Sequence, residues 1–201
     1  MARIRAYEPA DLPAVYEICL RTGDAGQDAA PLLRDHDLMG HVWAGPWCLL
    51  EPEHAFVLED DEGVAGYVLG ALDTRRFEAL CEERWWPPLR ARYAAPSGDP
   101  ARWSLDEALA DRIHHPRLAP EALVALAPSH LHIDLLPRAQ GQGYGRALLT
   151  TLFDALRAGG SSGLHLGVHP RNTGAIRFYE RCGLVRSAFA TDGVVMVRSP
   201  L

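Results

Sequence analysis

Three glycines spaced two apart, Gly141, Gly143 and Gly145, stand between an apolar run and a helix pattern. Residues 130–136 read as a buried strand, and Pro137 closes it in a turn. From Tyr144 the residues Leu148, Leu149, Leu152, Phe153 and Leu156 mark one helical face. Glycine has no Cβ, so backbone N–H groups in such a loop can approach an anion closely. The helix that follows aims its unpaired N–H groups and the positive end of its dipole at the same place. The stretch calls for a phosphate-bearing ligand.

The rest of the chain narrows which one. All 20 basic residues are Arg, so neither a P-loop lysine nor self-modification on lysine is possible. A dinucleotide fingerprint starting at Gly141 needs Gly or Ala where Arg146 stands, and the flanking β/α alternation is missing. What remains is Gln140-x-x-Gly143-x-Gly145. The net charge of −6 disfavours a nucleic-acid or anionic-membrane partner and permits a cationic acceptor. Four scattered cysteines without a C-x-x-C pair fit reduced thiols in the cytoplasm. No apolar run reaches the length of a membrane span, and no signal-peptide core is present.

In chain order, Ile4 to Ala6 is a strand and Leu12, Val15, Ile18 and Cys19 mark a helix ended by Gly23. Asp24 and Asp28 lie in the next loop, either as a solvated helix exit or as part of a substrate pocket. A weaker helical region over Leu33 to Trp43 is broken by Gly45-Pro46. Ala55 to Glu59 and Val64 to Leu69 form a hairpin across Asp60-Asp61-Glu62-Gly63, with the acids exposed. Residues 73–127 are a helical insertion, the expected acceptor-site or lid region of a single domain over residues 1–201. Within it a helix ends before Pro87-Pro88, Ser104 to Glu107 is a capping box, and His114-His115 lie in a loop. Trp85, Trp86, Tyr93 and Trp103 either pack the insertion onto the domain or line a pocket, with Trp85 the candidate substrate contact. Residues 163–169 are a strand, Asn172 caps a helix stopped by Gly183, and 184–190 with 194–198 form a hairpin over Thr191-Asp192-Gly193.

The loop, together with Asn172-Thr173-Gly174-Ala175-Ile176-Arg177-Phe178-Tyr179-Glu180-Arg181-Cys182-Gly183-Leu184, resembles the GNAT acetyltransferase superfamily. Its coenzyme A loop reads Arg/Gln-x-x-Gly-x-Gly/Ala, and its second marker reads N-x-x-A-x-x-F-Y-x-x-x-G-F, with Leu184 here at the last position. Phe56 to Asp60, Val64 to Gly70 and Ser129 to Asp134 narrow the likeness to the acetyltransferase-like domain at the C-terminus of eukaryotic protein O-GlcNAcase and its free-standing bacterial relatives. The length leaves no room for a glycosidase domain, so no glycosidase activity is expected.

The resemblance implies an α/β GNAT fold: a mixed, mostly antiparallel central sheet with a splayed parallel strand pair and helices on both faces. It implies acetyl-CoA as cofactor, held by Gln140, Gly141, Gln142, Gly143, Tyr144, Gly145 and Arg146, by Asn172, Ala175, Phe178 and Tyr179, and along Leu135 and Leu136. There a backbone N–H is placed to polarise the thioester carbonyl. Tyr179 matches the acid position. His132 and Asp134 share one strand face, opposite Leu131, Ile133 and Leu135. A carboxylate in so apolar a run is costly unless paired or functional, so Asp134 is either the general base or an orienting partner of His132. His130, His165 and His169 lack ligand spacing, and no metal is expected. The expected function is direct acetyl transfer to an amine of a small molecule or protein by a monomer or homodimer. The alternative is a non-catalytic coenzyme A-binding sensor or interaction domain.

Overall fold

The structure, a computed structural model, describes residues 2–189 and 193–201. Its elements are β1 (Arg3–Ala6), α1 (Leu12–Thr22), α2 (Asp37–Trp43), α3 (Gly45–Leu50), β2 (Ala55–Asp60) and β3 (Gly63–Ala71). Then come α4 (Thr74–Leu80), α5 (Trp86–Arg92), α6 (Leu105–His114), α7 (Glu121–Leu126), β4 (Ser129–Leu135) and α8 (Tyr144–Ala158). β5 (Leu164–Val168), α9 (Thr173–Arg181), β6 (Val185–Arg186) and β7 (Val194–Arg198) close the chain. The sheet runs β1-β2-β3-β4-β5-β7-β6, antiparallel except for β4 and β5, as the sequence implied.

Strand alternation divides the core. Val57, Tyr67, Leu69 and Ala71 face a cluster with Val15 and Ile18 of α1 and the insertion's Phe77, Leu109 and Ile113. Leu58, Val68, Leu131 and Ile133 face the other way, onto Leu148, Leu152 and Leu156 of α8 and Ile176 of α9. Helices thus cover both faces. Gly70 sets how closely α8 sits on the sheet: a Cβ there would lie 2.5 Å from Leu152 Cδ1.

Prolines account for two departures from the sequence reading. Gly45-Pro46 does not merely break a helix but opens α3, with Pro46 in its first turn, where the missing N–H is no loss. Pro87-Pro88 likewise lie in the first turn of α5 and do not stop the chain's helical course. A π-helical turn over residues 81–85 joins α4 to α5, with the Trp86 N–H on Cys81 O, and hands the prolines a fresh N-terminus. His114 is the end of α6, its Nε2 2.7 Å from Tyr93 O. Of the closing hairpin, Val185 and Arg186 pair with β7 and Ser187 donates its N–H to Val195 O at 2.8 Å; Ala190, Thr191 and Asp192 lie outside the described residues. Asp60 is no free turn acid either, because Arg138 holds it at 2.9 Å.

Candidate active site

β4 and β5 pair only at Ser129↔Leu164 and His130↔His165 and then part. Leu136 donates its N–H to Ala65 O of β3 at 2.8 Å. Peptide groups alternate sides along an antiparallel ladder, so those of His132 and Asp134 also face β3, while Ile133 and Leu135 turn theirs towards the widening gap. Of the pair expected to meet the cofactor, Leu135 therefore offers an N–H to the gap and Leu136 does not. The Leu135 carbonyl accepts from Gln140 Nε2 at 2.8 Å, which pins the glycine loop to the strand end.

The loop curls over the mouth of this gap. Gly141 and Gly143 have φ of 74° and 86°, with nothing within 4 Å of an added Cβ, so they are required by backbone conformation and not by lack of room. Gly143 caps α8, and the first helical bond is donated by Ala147. The N–H groups of residues 141–146 consequently have no acceptor among the described residues, at the positive end of a 15-residue helix. Gln142 Nε2 binds Arg138 O at 2.7 Å and Arg146 binds Arg181 O at 3.0 Å, so both side chains brace the loop. Phe178 lies beneath it, 3.1 Å from where a Gly145 Cβ would stand. Tyr144, Ala175 and Phe178 pack on the α8-side core, and Asn172 Oδ1 caps α9 by accepting from Ala175 N at 3.0 Å.

Behind the gap lies a cluster of polar side chains. Tyr67, fully buried on β3, stands opposite Asp134 in the ladder. Its hydroxyl donates to Asp134 Oδ2 at 2.8 Å and lies 3.1 Å from His132 Nδ1. His132 Nε2 is 3.7 Å from Asp134 Oδ2. Burial pushes the Asp134 carboxyl up, against the opposing pull of His132 and the Tyr67 and Thr22 hydroxyls. Tyr179 reaches the same place from α9: burial, then the charge of Asp134, pushes its phenol up. The His132 ring has Tyr67, Trp47 and Trp43 near-parallel to it at centroid distances of 5.8, 6.2 and 6.3 Å.

A family model for the acetyltransferase (GNAT) family matches residues 113–184, which carry β4, the loop, α8, β5 and α9. The crystal structure of SsHAT is 42% identical and aligns with a TM-score of 0.91 over 98% of each chain. The chain belongs to the GNAT acetyltransferase family. It is also homologous to the acetyltransferase-like region of protein O-GlcNAcase. That protein from Rattus norvegicus is 30% identical over 200 residues, which are 98% of this chain. The chain spans 22% of the length of that curated relative and of its Mus musculus counterpart. Two more distant structures share the fold. The putative acetyltransferase yncA of Salmonella typhimurium, solved with acetyl-CoA, is 16% identical with a TM-score of 0.55 over 98% of this chain and 93% of its own. The PaiA N-acetyltransferase of Thermoplasma acidophilum, solved with coenzyme A, is 12% identical with a TM-score of 0.60 over 99% of each.

In this GNAT chain the expected cofactor residues converge on the gap, and the expected substrate residues do not converge on the cluster. Asp24 pairs with Arg171 at 2.6 Å, and Gly26 abuts Asn172, so the loop after α1 is clipped to the start of α9. Asp28 holds Arg21 at 2.7 Å and the Ala30 N–H at 2.9 Å. Trp85 donates to His41 O at 2.9 Å and packs against Gly45. His130 Nδ1 lies 2.8 Å from the Thr74 hydroxyl, and burial pulls its pKa down to about 3. His165 Nδ1 lies 2.7 Å from Ala127 O, and His169 Nδ1 accepts from Arg171 N. These histidines are engaged in the scaffold. Glu51, Glu53 and His54 lie close enough to share a metal, but the wholly buried Glu51 already meets His54, Arg76 and the Leu72 N–H. Tyr67, Trp43 and Trp47 carry no motif and were not singled out by sequence. The signal that finds Tyr67 is the β3–β4 register, which exists only once the strands are paired.

Proposed function

We propose that this GNAT chain is an acetyl-CoA-dependent N-acetyltransferase that passes the acetyl group directly to an amine. The observation that carries this is the run of unsatisfied N–H groups at 141–146 opening onto a strand gap with Asp134, His132 and Tyr179 beside it. Those N–H groups suit the pyrophosphate of coenzyme A, and the amide edges of Ile133 and Leu135 suit a strand-like pantetheine arm. Acetyl-CoA supplies an acyl carbon open to direct attack and a thiol leaving group. The two distant relatives solved with acetyl-CoA or coenzyme A support that choice.

The chain's own residues divide the remaining work. Leu135 N–H is placed to polarise a carbonyl in the gap. Asp134 and His132 take up the acceptor's proton. The Tyr179 hydroxyl, which has no protein partner among the described residues, would donate a hydrogen bond to the sulfur of a thioester held in the gap. All four cysteines are buried free thiols, and burial pushes each of them up, which favours direct transfer over a covalent acetyl carrier; they support a reducing, cytoplasmic setting. No described helix is long and apolar enough to cross a membrane. The insertion walls the acceptor side: Arg112 of α6 lies 4.7 Å over the Trp43 ring, which in turn faces His132.

Calorimetry with acetyl-CoA followed by thiol release across a panel of amines tests the proposal. Saturable binding with amine-dependent thiol release is expected. Binding without transfer to any amine would favour the non-catalytic coenzyme A-binding alternative, and absence of binding would end both.

A further inference from the structure

We propose that Tyr67 is a positioning residue that couples His132 to Asp134, so that a proton taken up at His132 Nε2 is answered by a proton delivered to Asp134. The proposal rests on the acetyl-transfer reading and specifies how the acceptor's proton leaves the reacting nitrogen. The geometry carries it. A phenol has one proton, and Tyr67 has Asp134 Oδ2 at 2.8 Å and His132 Nδ1 at 3.1 Å within reach, with the Cys19 thiol of α1 also against its hydroxyl. It donates to one of them at a time. While it donates to the Asp134 carboxylate, the Nδ1 contact is satisfied only if Nδ1 carries hydrogen and donates to the Tyr67 oxygen. His132 is then neutral with Nε2 bare, the form a base requires. The direct His132–Asp134 approach, at 3.7 Å, is too long to serve as a hydrogen bond, so the phenol is the shorter connection.

Proton uptake reverses the chain. The acceptor's N–H proton bonds to Nε2, the Nδ1 proton passes to the Tyr67 oxygen, and the Tyr67 proton passes to Asp134 Oδ2. Three N–H or O–H bonds break and three form. The substrate ammonium becomes an amine, the carboxylate becomes a carboxylic acid, and neither an imidazolium nor a phenolate remains. A buried site favours that outcome, because it ends with fewer charges.

The surroundings agree. Asp134 is faced by Tyr67 from β3, by Cys19 and Thr22 from α1 and by Tyr179 from α9, so no cation facing it from these elements competes for its charge. His132 is faced by Trp43 of α2, Trp47 of α3 and Tyr67. The His132 and Asp134 side chains are both partly exposed while Tyr67 is wholly buried, so the hydroxyl that joins them is shut off from solvent.

The test reads the cofactor-free protein by NMR of the histidine ring nitrogens, with His132→Gln assigning the signal. Above the titration, His132 is expected as the Nδ1–H tautomer, with Nε2 protonating at the same midpoint at which the Asp134 carboxyl carbon shifts. In Tyr67→Phe the Nδ1–H signature is expected to disappear and the two midpoints to separate. Amine acetylation should fall at least about tenfold, with acetyl-CoA affinity unchanged by calorimetry. Wild-type His132 carrying its proton on Nε2 throughout, or midpoints that stay together in Tyr67→Phe, would overturn the coupling. If Tyr67→Phe does not fold, Asp134→Asn takes its place. It keeps the Tyr67 hydrogen bond but removes the proton sink, so His132 protonation should move to lower pH, and an unmoved midpoint overturns the proposal. A wild-type protein that binds acetyl-CoA, shows the tautomer and acetylates no amine would remove the functional reading while leaving the coupling in place.

Discussion

Replacing Asp134 with asparagine is expected to lower acetyl transfer by about 10²–10⁴-fold, the range spanned by positioned acid–base groups, while raising stability at neutral pH. The two effects have one cause. Burial lifts the Asp134 carboxyl above its ordinary value of 3.8, so the fold prefers the protonated form. A raised folded value means that the carboxyl's favourable contribution is complete below 3.8 and is lost as pH rises through the folded value. Above the folded value the native state carries a carboxylate that it disfavours, to which the Tyr67 hydroxyl donates. Asparagine keeps an acceptor for that hydroxyl and removes the charge. Thermal melts across pH should show the variant ahead at neutral pH and the gap closing as pH falls towards 3.8. A variant that is less stable at neutral pH would show Asp134 to be a structural carboxylate.

Tyr179→Phe is the second large loss, about 10²-fold in transfer rate at unchanged acetyl-CoA affinity, as for removal of one donor to developing charge. Asn172 and the α9 cap fix the helix start, and two turns later Tyr179 enters the gap with 7% of its surface exposed. Burial and the Asp134 charge hold its phenol above its usual range. Full proton transfer from so weak an acid to a thiolate runs uphill, so its service is a strong hydrogen bond to the sulfur. The phenol also stays protonated throughout the working range. The wild-type rate should accordingly show no alkaline fall from Tyr179 below about pH 10. An alkaline limb near pH 8 that vanishes in Tyr179→Phe would contradict this assignment.

What was legible in the sequence was local. The glycine loop, the Asn172 cap and the Ser104 capping box each depend on residues within a few positions of one another, and the structure forms all three. Proline was ambiguous because the same missing N–H ends one helix and suits the first turn of the next. Pro46 and Pro87 took the second course once a preceding turn ended or widened. The acid at 24 looked available because its cationic partner is remote in sequence, Arg171 lying 147 residues away; the partner of Asp28, Arg21, is near in sequence but on the preceding helix, and only the turn of the chain brings them together. Tyr67 was invisible for the same reason, being 67 residues from Asp134 and inside an ordinary apolar strand. Leu135 and Leu136 could not be told apart until the ladder showed which peptide group faces β3.

A backbone amide NMR titration with acetyl-CoA is the most direct test of the binding mode. The N–H signals of Gly141 to Arg146, with those of Ile133 and Leu135, should shift together and saturate, while Leu136, bonded to Ala65, stays close to its free position. Saturable binding that leaves residues 141–146 unmoved would contradict the assignment of this loop as the coenzyme A site.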